Sequence, residues 1–416
     1  MPKKKPHKAA RGAVRPLLWA VACAVLAALC GGCASGFLVS ARDSYYSGRL
    51  QEAEAVLAAN QPSARDTLLY LMEKGLVEHD LGRYRQSAAT LRQASAWMDE
   101  NVISASREAV SLLTTDLATA YDGEYCERLW VHAYLMMDYL ILGEPESALV
   151  EAKQALAVFD EHQDSLASDV FTRALIALCF ENLGEKNDAY IEYKKAARNA
   201  EDPSALDPVL FRLARALSFF DDAEKYGKNL TPEEKKKEQG PELVVFAAWG
   251  QGPRKMPASI VVPPGERISW VAYEPDRTPW GRVSAKAQAG ELPVLEITTS
   301  VPGVAADSLD ERKTRVIAKE AARFAAKEAT ARVIANNYGE AAGLLARLAF
   351  IFSGAPDTRC WETLPARLCL ARVALAPGTR EVTLTLTSPG GAVMGQTTLT
   401  GIQLMPNGKA FVSVRF

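Results

Sequence analysis

The stretch LLYLMEKGLVEHDLGRYRQSAATLRQA, residues 68–94, decides the fold of the first half of this chain. It begins with a largely apolar segment that ends at Gly82, and small or apolar residues follow at Ser87, Leu91 and Ala94. Glycine permits a tight turn between two helices, and a small residue five positions later lets the second helix lie close to the first. The stretch therefore predicts a helical hairpin.

The same spacing recurs at Gly48, Gly143 and Gly184, with small or apolar residues at most of the equivalent positions. Gly48 and Gly82 are 34 residues apart, whereas the later intervals are 61 and 41 residues. The 34-residue spacing and the order of residue types resemble the tetratricopeptide repeat. We expect four helical hairpins and a capping helix, DPVLFRLARALSFF, over residues 38 to about 222. A generic helical bundle is the alternative. Stacked hairpins form a concave surface that usually binds peptides or proteins.

The longest interval of the array contains an additional predicted helix and a cluster of aromatic and acidic residues. Trp130 and Tyr134 are four residues apart and can share one helix face. Because aromatic side chains often anchor protein interfaces, we identify candidate partner-binding residues at Tyr121, Glu124, Trp130 and Tyr134. The alternative is that Trp130 and Tyr134 fill the core between helices. The exposure of Tyr121 and Trp130 distinguishes the two interpretations.

The second half has the pattern of a mixed α/β module. ELVVFAAWG, ASIVVPP and VLEITTS are rich in β-branched residues and predict short strands, with a turn over residues 250–255. Ser308 and Glu311 have the spacing of a capping box, which predicts that a helix begins there. Residues 371–416 alternate apolar and polar side chains around Pro-Gly and Asn-Gly turns, so we expect four or five antiparallel strands in a small β-sandwich.

The N-terminal residues 1–32 have the layout of a bacterial lipoprotein signal peptide. Six basic residues precede an apolar core of about 13 residues, which is too short to remain in a bilayer as a spanning helix. LAALCGGCASG resembles a lipobox, in which Cys33 would carry the lipid. Cys30 stands where leucine is usual, so an ordinary signal peptide or an uncut anchor is the alternative. The absence of aspartate just after Cys33 predicts the outer membrane of a Gram-negative bacterium, with the chain facing the periplasm.

The sequence as a whole predicts an α+β protein of several domains. After the signal peptide we assign residues 33–222 to the all-α helical repeat domain, 223–242 to a charged linker, and 243–416 to the α+β domain. The linker assignment rests on dense charge, glycine and proline, with few large apolar residues.

Charge and residue spacing argue against several classes of function. Without residues 1–32 the chain has 42 basic and 50 acidic residues, a formal charge of −8, and no basic stripe for nucleic acid. The histidines His79, His132 and His162 lack the spacing of metal ligands, so we expect no metal and no cofactor. No Gly-x-Ser-x-Gly elbow is present, which weakens a serine hydrolase interpretation without excluding other arrangements. We expect that the protein is not an enzyme.

Four cysteines follow Cys33, at positions 126, 179, 360 and 369. In an oxidising periplasm Cys360 and Cys369 could form a disulfide, because they are close in sequence. Nothing in the sequence places their Cα atoms within bridging distance, and the pairing stays open.

Three segments of the sequence resemble those of a family of uncharacterised tetratricopeptide-bearing bacterial lipoproteins. They are YDGEYCERLWVHAYLMMDYLILGEPESALVEAKQAL at 121–156, ELVVFAAWGQGPRKMPASIVVPPG at 242–265, and APDTRCWETLPARLCLARVALAPG at 355–378. Genes of that family often neighbour small lipoproteins that activate penicillin-binding proteins. The resemblance implies a shared envelope process, with penicillin-binding proteins or their activators as partners. Together with the repeat array and the predicted lipid on Cys33, this predicts a scaffold anchored to the outer membrane that acts in peptidoglycan synthesis or envelope assembly. The alternative function is a structural subunit of an export or secretion assembly, and the oligomeric state is not indicated.

Overall fold

A computed structural model describes residues 36–100, 120–236, 240–262, 266–352, 356–405 and 408–416. The predicted signal peptide and Cys33 lie outside these ranges, as does much of the additional helix expected before Tyr121. No helix within the described ranges combines the length and the apolar character needed to cross a membrane.

The first half consists of helical hairpins, as the glycine pattern predicts. The hairpins are α1 Gly36–Tyr46 with α2 Leu50–Ala59, α3 Thr67–Asp80 with α4 Tyr84–Glu100, α5 Tyr125–Leu142 with α6 Pro145–Glu161, and α7 Val170–Asn182 with α8 Lys186–Asn199. Each turn contains one of the predicted glycines, with φ between 73° and 79° at Gly48, Gly82, Gly143 and Gly184. This left-handed conformation ends the first helix at little cost only for glycine. The prediction of a helical repeat region is confirmed.

Small residues five positions after these glycines lie at the contact between the paired helices. Ala53, Ser87, Ala148 and Ala189 are fully buried. A larger side chain at these positions would separate the two helices, because protein interiors are close-packed. The hairpins are therefore held together at the positions that the sequence pattern marks.

The array continues further than the predicted boundary. A short 3₁₀ turn, Pro203–Leu206, precedes α9 Asp207–Ala216, α10 Phe220–Gly227 and α11 Pro232–Lys236. Ala223 and Tyr226 of α10 are buried in the core of the array, and Leu230 is also buried. Residues 223–230, which the sequence assigns to a linker, therefore belong to the helical half, because their few apolar side chains are those that pack.

The second half contains two four-stranded sheets, a β-hairpin and two helices. The strands are β1 Glu242–Trp249, β2 Lys255–Val262, β3 Glu266–Tyr273, β4 Arg282–Ala287, β5 Gly290–Leu292, β6 Val294–Ser300, β7 Arg367–Ala374, β8 Glu381–Thr387, β9 Val393–Thr400 and β10 Lys409–Arg415, and the helices are α12 Val301–Tyr338 and α13 Glu340–Phe352. One sheet has the order β10-β1-β7-β6, the other β5-β4-β8-β9, and β2 pairs with β3. The strands pair antiparallel except for β10, which is parallel to β1.

The two four-stranded sheets pack face to face around an apolar core that includes Val245, Val283 and Leu384. The sequence predicts such a sandwich from residues 371–416 alone and with antiparallel strands. The structure instead recruits β1, β4, β5 and β6 from earlier in the chain, and places the last strand parallel to β1. Alternating side chains specify which face of a strand is apolar but not which strand lies beside it.

Helix α12 begins at Val301 and not at the predicted capping box. Ser300 is the N-cap, and its Oγ accepts a hydrogen bond from the backbone amide of Gly303 at 3.3 Å. Ser308 is buried within the helix, and Glu311 accepts a hydrogen bond from Tyr125 of α5 at 2.7 Å. Ser308 and Glu311 therefore lie inside α12 and do not start a helix. Glu311 instead links α12 to the array.

Strand β1 is buried on both faces. One face packs on the helical array and the other packs on the second sheet. Val244, Phe246 and Ala248 belong to the core shared with the helices, whereas Val245 and Ala247 face the second sheet. The protein thus has three layers, with helices on the first sheet and the first sheet on the second.

Candidate functional site

The first sheet covers the inner face of the array, which is formed by α3, α5 and α7. These helices contact β10, β7 and β6 of the sheet. Trp361, in the segment before β7, is fully buried, and its ring centroid lies 5.8 Å from that of Tyr134 on α5. The groove expected along residues 38–222 is therefore filled by the second half of the same chain.

The four candidate binding residues are buried by this packing. Relative exposure is 5% for Tyr121, 9% for Glu124, 0% for Trp130 and 2% for Tyr134. The indole Nε1 of Trp130 donates to Asp169 Oδ2 at 3.0 Å, inside the array. These values correct the interface interpretation and favour the alternative in which the aromatic residues fill the core, because the sheet excludes a partner from this side.

Glu124 joins the array to the second half. Its Oε1 accepts a hydrogen bond from Lys255 Nζ at 2.6 Å, and its Oε2 accepts one from Arg312 of α12. Burial acts to raise the pKa of Glu124, but the charges of Lys255 and Arg312 outweigh burial and hold the pKa below its usual value. The carboxylate also belongs to a capping box with Glu127 at the start of α5. Glu124 is therefore a structural link between three segments.

Cys360 and Cys369 are buried free thiols, so the disulfide left open by the sequence is not formed. Cys369 lies in the core between the two sheets, whereas the thiol of Cys360 donates to the Pro253 carbonyl at 3.5 Å. The two side chains occupy different parts of the interior despite their closeness in sequence.

A set of three polar side chains bridges the array and the edge strand β10. His79 Nδ1 lies 2.6 Å from Asp138 Oδ1, and His79 Nε2 lies 2.8 Å from Ser413 Oγ. Helix α3 supplies His79, α5 supplies Asp138, and β10 supplies Ser413. A carboxylate accepts hydrogen bonds, so Nδ1–H donates to Asp138, and in the neutral ring Nε2 accepts from the serine hydroxyl.

Ser413 and His79 line a cavity of about 450 Å³, which we call the Ser413 cavity. Its other walls are Tyr45, Tyr46, Gly48, Leu50, Asp80, Tyr84, Gly250, Gln251, Arg415 and Phe416. Asp138 is fully buried behind His79, and His79 itself is 1% exposed, whereas Ser413 is half-buried. The hydroxyl is thus the member of the set nearest to solvent.

The groups around His79 make its imidazole easier to protonate than that of a free histidine. Burial lowers the pKa of His79, but the adjacent Asp138 carboxylate raises it above its usual value. Burial raises the pKa of Tyr84, whose ring centroid is 5.3 Å from that of His79, to about 12. Arg415 contributes a cation, with its Nη2 donating to the Gly250 carbonyl at 3.1 Å.

A second, larger cavity of about 750 Å³ adjoins the first, and we call it the loop cavity. It lies beside the β1–β2 turn, residues 250–254, and the two cavities share Gly250, Gln251 and Phe416 in their walls. Its apolar lining includes Trp249, Met256 and Met394. The two cavities are therefore neighbours at the end of β1.

The sequence gives no pattern from which this site could be found. His79 and Asp138 are 59 residues apart, and His79 and Ser413 are 334 apart. Of the four predicted site residues, Tyr134 alone packs on His79, with ring centroids 5.0 Å apart. Across the described ranges, no group of three His, Cys, Asp or Glu side chains is placed to hold a metal ion.

Comparisons with known proteins give a structural likeness only. No protein-family model and no curated protein matches the chain. The apo form of RapI is 11% identical, with a TM-score of 0.35 over 46% of this chain and 50% of RapI. MamA is 13% identical, with a TM-score of 0.32 over 45% of this chain and 90% of MamA. A putative kinesin light chain of Podosopora anserina, with nearly identical TPR-like repeats, is 17% identical. Its TM-score is 0.34 over 46% of this chain and 89% of the kinesin light chain structure. This chain spans about half the length of RapI, and each likeness covers less than half of this chain.

Proposed function

We propose that this protein is a scaffold that binds protein partners at the bacterial envelope, through the loop cavity and not through the inner face of the array. Cys33 would carry the lipid that anchors it to the outer membrane. One observation carries the choice of surface: the first sheet covers α3, α5 and α7, while the loop cavity stays open at the end of that sheet.

The lining of the loop cavity suits an extended polypeptide segment. Met256 and Met394 are 40% and 36% exposed, and methionine adapts its shape to apolar side chains of different sizes. Arg254, Arg277 and Glu274 line the same cavity. An apolar centre with a charged rim is the usual anatomy of a protein interface. The occupant we propose is a partner segment with an apolar anchor between charged residues.

Anchoring would strengthen such binding without new contacts. A lipid on Cys33 confines the protein to the membrane surface and raises its effective concentration at other membrane-bound proteins. The family resemblance makes penicillin-binding proteins and their activator lipoproteins the partners to test first. A subunit of an export assembly is the alternative.

Photo-crosslinking in cells tests this proposal. A benzophenone amino acid replaces Met256 at the loop cavity, and in a matched control it replaces Val150, which is 57% exposed on α6. Both are made with native Cys33 and with Cys33→Ser. We expect adducts with penicillin-binding proteins or their activators from position 256, few from position 150, and a loss of adducts in Cys33→Ser. Equal adducts at both positions, or adducts to copies of the protein or to export components, would contradict the proposal.

A further inference from the structure

We infer that Ser413, His79 and Asp138 form a nucleophile, a general base and a positioning carboxylate, and that the Ser413 cavity hydrolyses carboxylic esters with small acyl groups. This activity goes beyond partner binding and does not depend on it. It also revises the sequence-based expectation that the protein is not an enzyme.

The geometry of the three side chains supports the inference. A serine hydroxyl is a weak nucleophile unless a base takes its proton, and the base needs a third group that fixes its orientation. The two distances, 2.8 Å from Ser413 Oγ to His79 Nε2 and 2.6 Å from His79 Nδ1 to Asp138 Oδ1, are within hydrogen-bond reach. Each ring nitrogen therefore has the partner that acyl transfer requires.

Access to the nucleophile distinguishes this set from an ordinary buried network. Asp138 and His79 are buried, but Ser413 is half-buried and faces a cavity of about 450 Å³ that can hold a small ligand. The rings of Tyr45 and Tyr84 in its wall favour an apolar acyl group. The cavity has the size and lining for a small ester.

The chemical step is a double displacement. Ser413 Oγ attacks the ester carbonyl carbon, and its proton passes to His79 Nε2. The bond from that carbon to the leaving oxygen breaks, and His79 returns the proton to the departing alcohol. Water then attacks the acyl-serine, giving one proton to His79, which returns it to Ser413 Oγ as the carboxylic acid leaves. Gly250 and Gln251 line the same cavity, and we assign stabilisation of the oxyanion to their backbone amides.

His132 provides a matched internal control. Its Nδ1 lies 2.8 Å from Glu151 Oε2, so it forms a histidine–carboxylate pair like His79 and Asp138, with His132 buried and Glu151 partly buried. In the described part of the chain, no serine or threonine hydroxyl bonds to this ring. Loss of His132 removes the same kind of pair without touching the proposed site.

Labelling with a fluorophosphonate probe tests the inference on the full-length protein in detergent. We expect one phosphonyl adduct on the peptide that contains Ser413, and hydrolysis of p-nitrophenyl acetate at a rate that the probe abolishes. Ser413→Ala should remove both, and Asp138→Asn should slow labelling at least about 100-fold, whereas His132→Ala should leave labelling intact. Thermal unfolding of each variant verifies that it is folded. Absence of labelling in the native protein, or equal labelling in Ser413→Ala, would overturn the inference.

The pH profile separates general-base catalysis from a structural role. Only neutral imidazole accepts the serine proton, so the labelling rate should rise as pH increases through the pKa of His79. Burial and Arg415 lower that pKa, whereas Asp138 and Asp80 raise it, with a net increase over the usual value. We expect the midpoint of this rise to lie above the usual histidine pKa of 6.5 and to move to lower pH in Asp138→Asn. A flat profile in the native protein would contradict the assignment of His79 as the base.

Discussion

The inner and outer helices of the array have similar sequence patterns and very different surroundings. In α5, 14 of 18 residues are buried, whereas in α6, its partner in the same hairpin, 6 of 17 are buried. The outer helix packs on its neighbours with one face, as the repeat pattern requires. The inner helix is covered a second time by the first sheet. A helical repeat thus fixes how hairpins stack but leaves its inner face available for another part of the same chain.

The covered face also carries buried charge. Arg372 of β7 donates to Glu181 of α7 at 2.8 Å and to Glu242 of β1 at 2.6 Å. Such pairs add little net stability over an apolar contact, but their geometry restricts how the two layers align. Exposed pairs on the outer helices, such as Arg49 with Glu52, are solvated and impose no such restriction.

The largest effect is expected at Trp361, in the layer between array and sheet. Trp361→Ala should lower the free energy of unfolding by about 3–5 kcal/mol, because a fully buried aromatic ring leaves a cavity. Val150→Ala on the outer face should change it by less than about 0.5 kcal/mol. Urea unfolding followed by circular dichroism measures both. Similar small effects at the two positions would mean that the inner face is not covered in solution.

A smaller loss is expected at the buried charges. Arg372→Met should destabilise the protein by about 3 kcal/mol, since it leaves Glu181 and Glu242 without their shared cation. Arg49→Met should have a much smaller effect, because its pair with Glu52 is exposed to solvent. The same urea titration compares the two. If Arg372→Met lowers the free energy of unfolding no more than Arg49→Met does, the charges between the two layers are not shielded from water.

Acid pH should weaken the same contact. Arg372, Arg212 and Lys409 outweigh the burial of Glu181 and hold its pKa well below the usual 4.5. A lowered folded-state pKa gives stabilisation that is complete above the unfolded pKa and is lost as pH falls through the folded one. The free energy of unfolding should therefore decrease as the pH drops below about 4.5. Glu181→Gln should make this decrease with pH less steep. An unchanged slope in the variant would remove Glu181 from the acid response.

The smallest effect is expected at Gly82, in the turn between the inner helix α3 and the outer helix α4. Gly82 has φ of 73°, and no neighbouring atom would lie within 4 Å of a Cβ at this position. Gly82→Ala should therefore cost about 1 kcal/mol from backbone strain alone, and Gly82→Asn should cost less, because asparagine tolerates this conformation. Thermal unfolding of the two variants measures the difference. Equal losses would point to a steric cause in place of the backbone.

Local features of the fold were predictable from the sequence. Gly82 marks a hairpin turn because the left-handed conformation is a property of the residue itself. Ser87 marks a close helix contact for a similarly local reason, namely side-chain size. The strand over ELVVFAAWG was also predicted, since β-branched and apolar residues favour a doubly buried strand.

The candidate site was not predictable, because it depends on how the two halves dock. Ser413 meets His79 only when β10 pairs in parallel with β1 beside α3. The burial of Tyr121 and Trp130 has the same origin, since the sheet that covers them is encoded more than a hundred residues later. Contacts of this kind are set by tertiary packing, which no spacing along the chain expresses.

The array and the first sheet form one packed unit, and the buried cysteines test this packing most directly. Cys126 and Cys179 lie on the inner helices, while Cys360 and Cys369 lie in the second half, and all four are buried free thiols. Thiol labelling in increasing urea, read by mass spectrometry for each cysteine, reports the opening of each region. If the two halves unfold as one unit, all four cysteines should become reactive together, at the same urea midpoint. Reaction of Cys126 and Cys179 at clearly lower urea than Cys369 would contradict it, because the array would then open without the sheet.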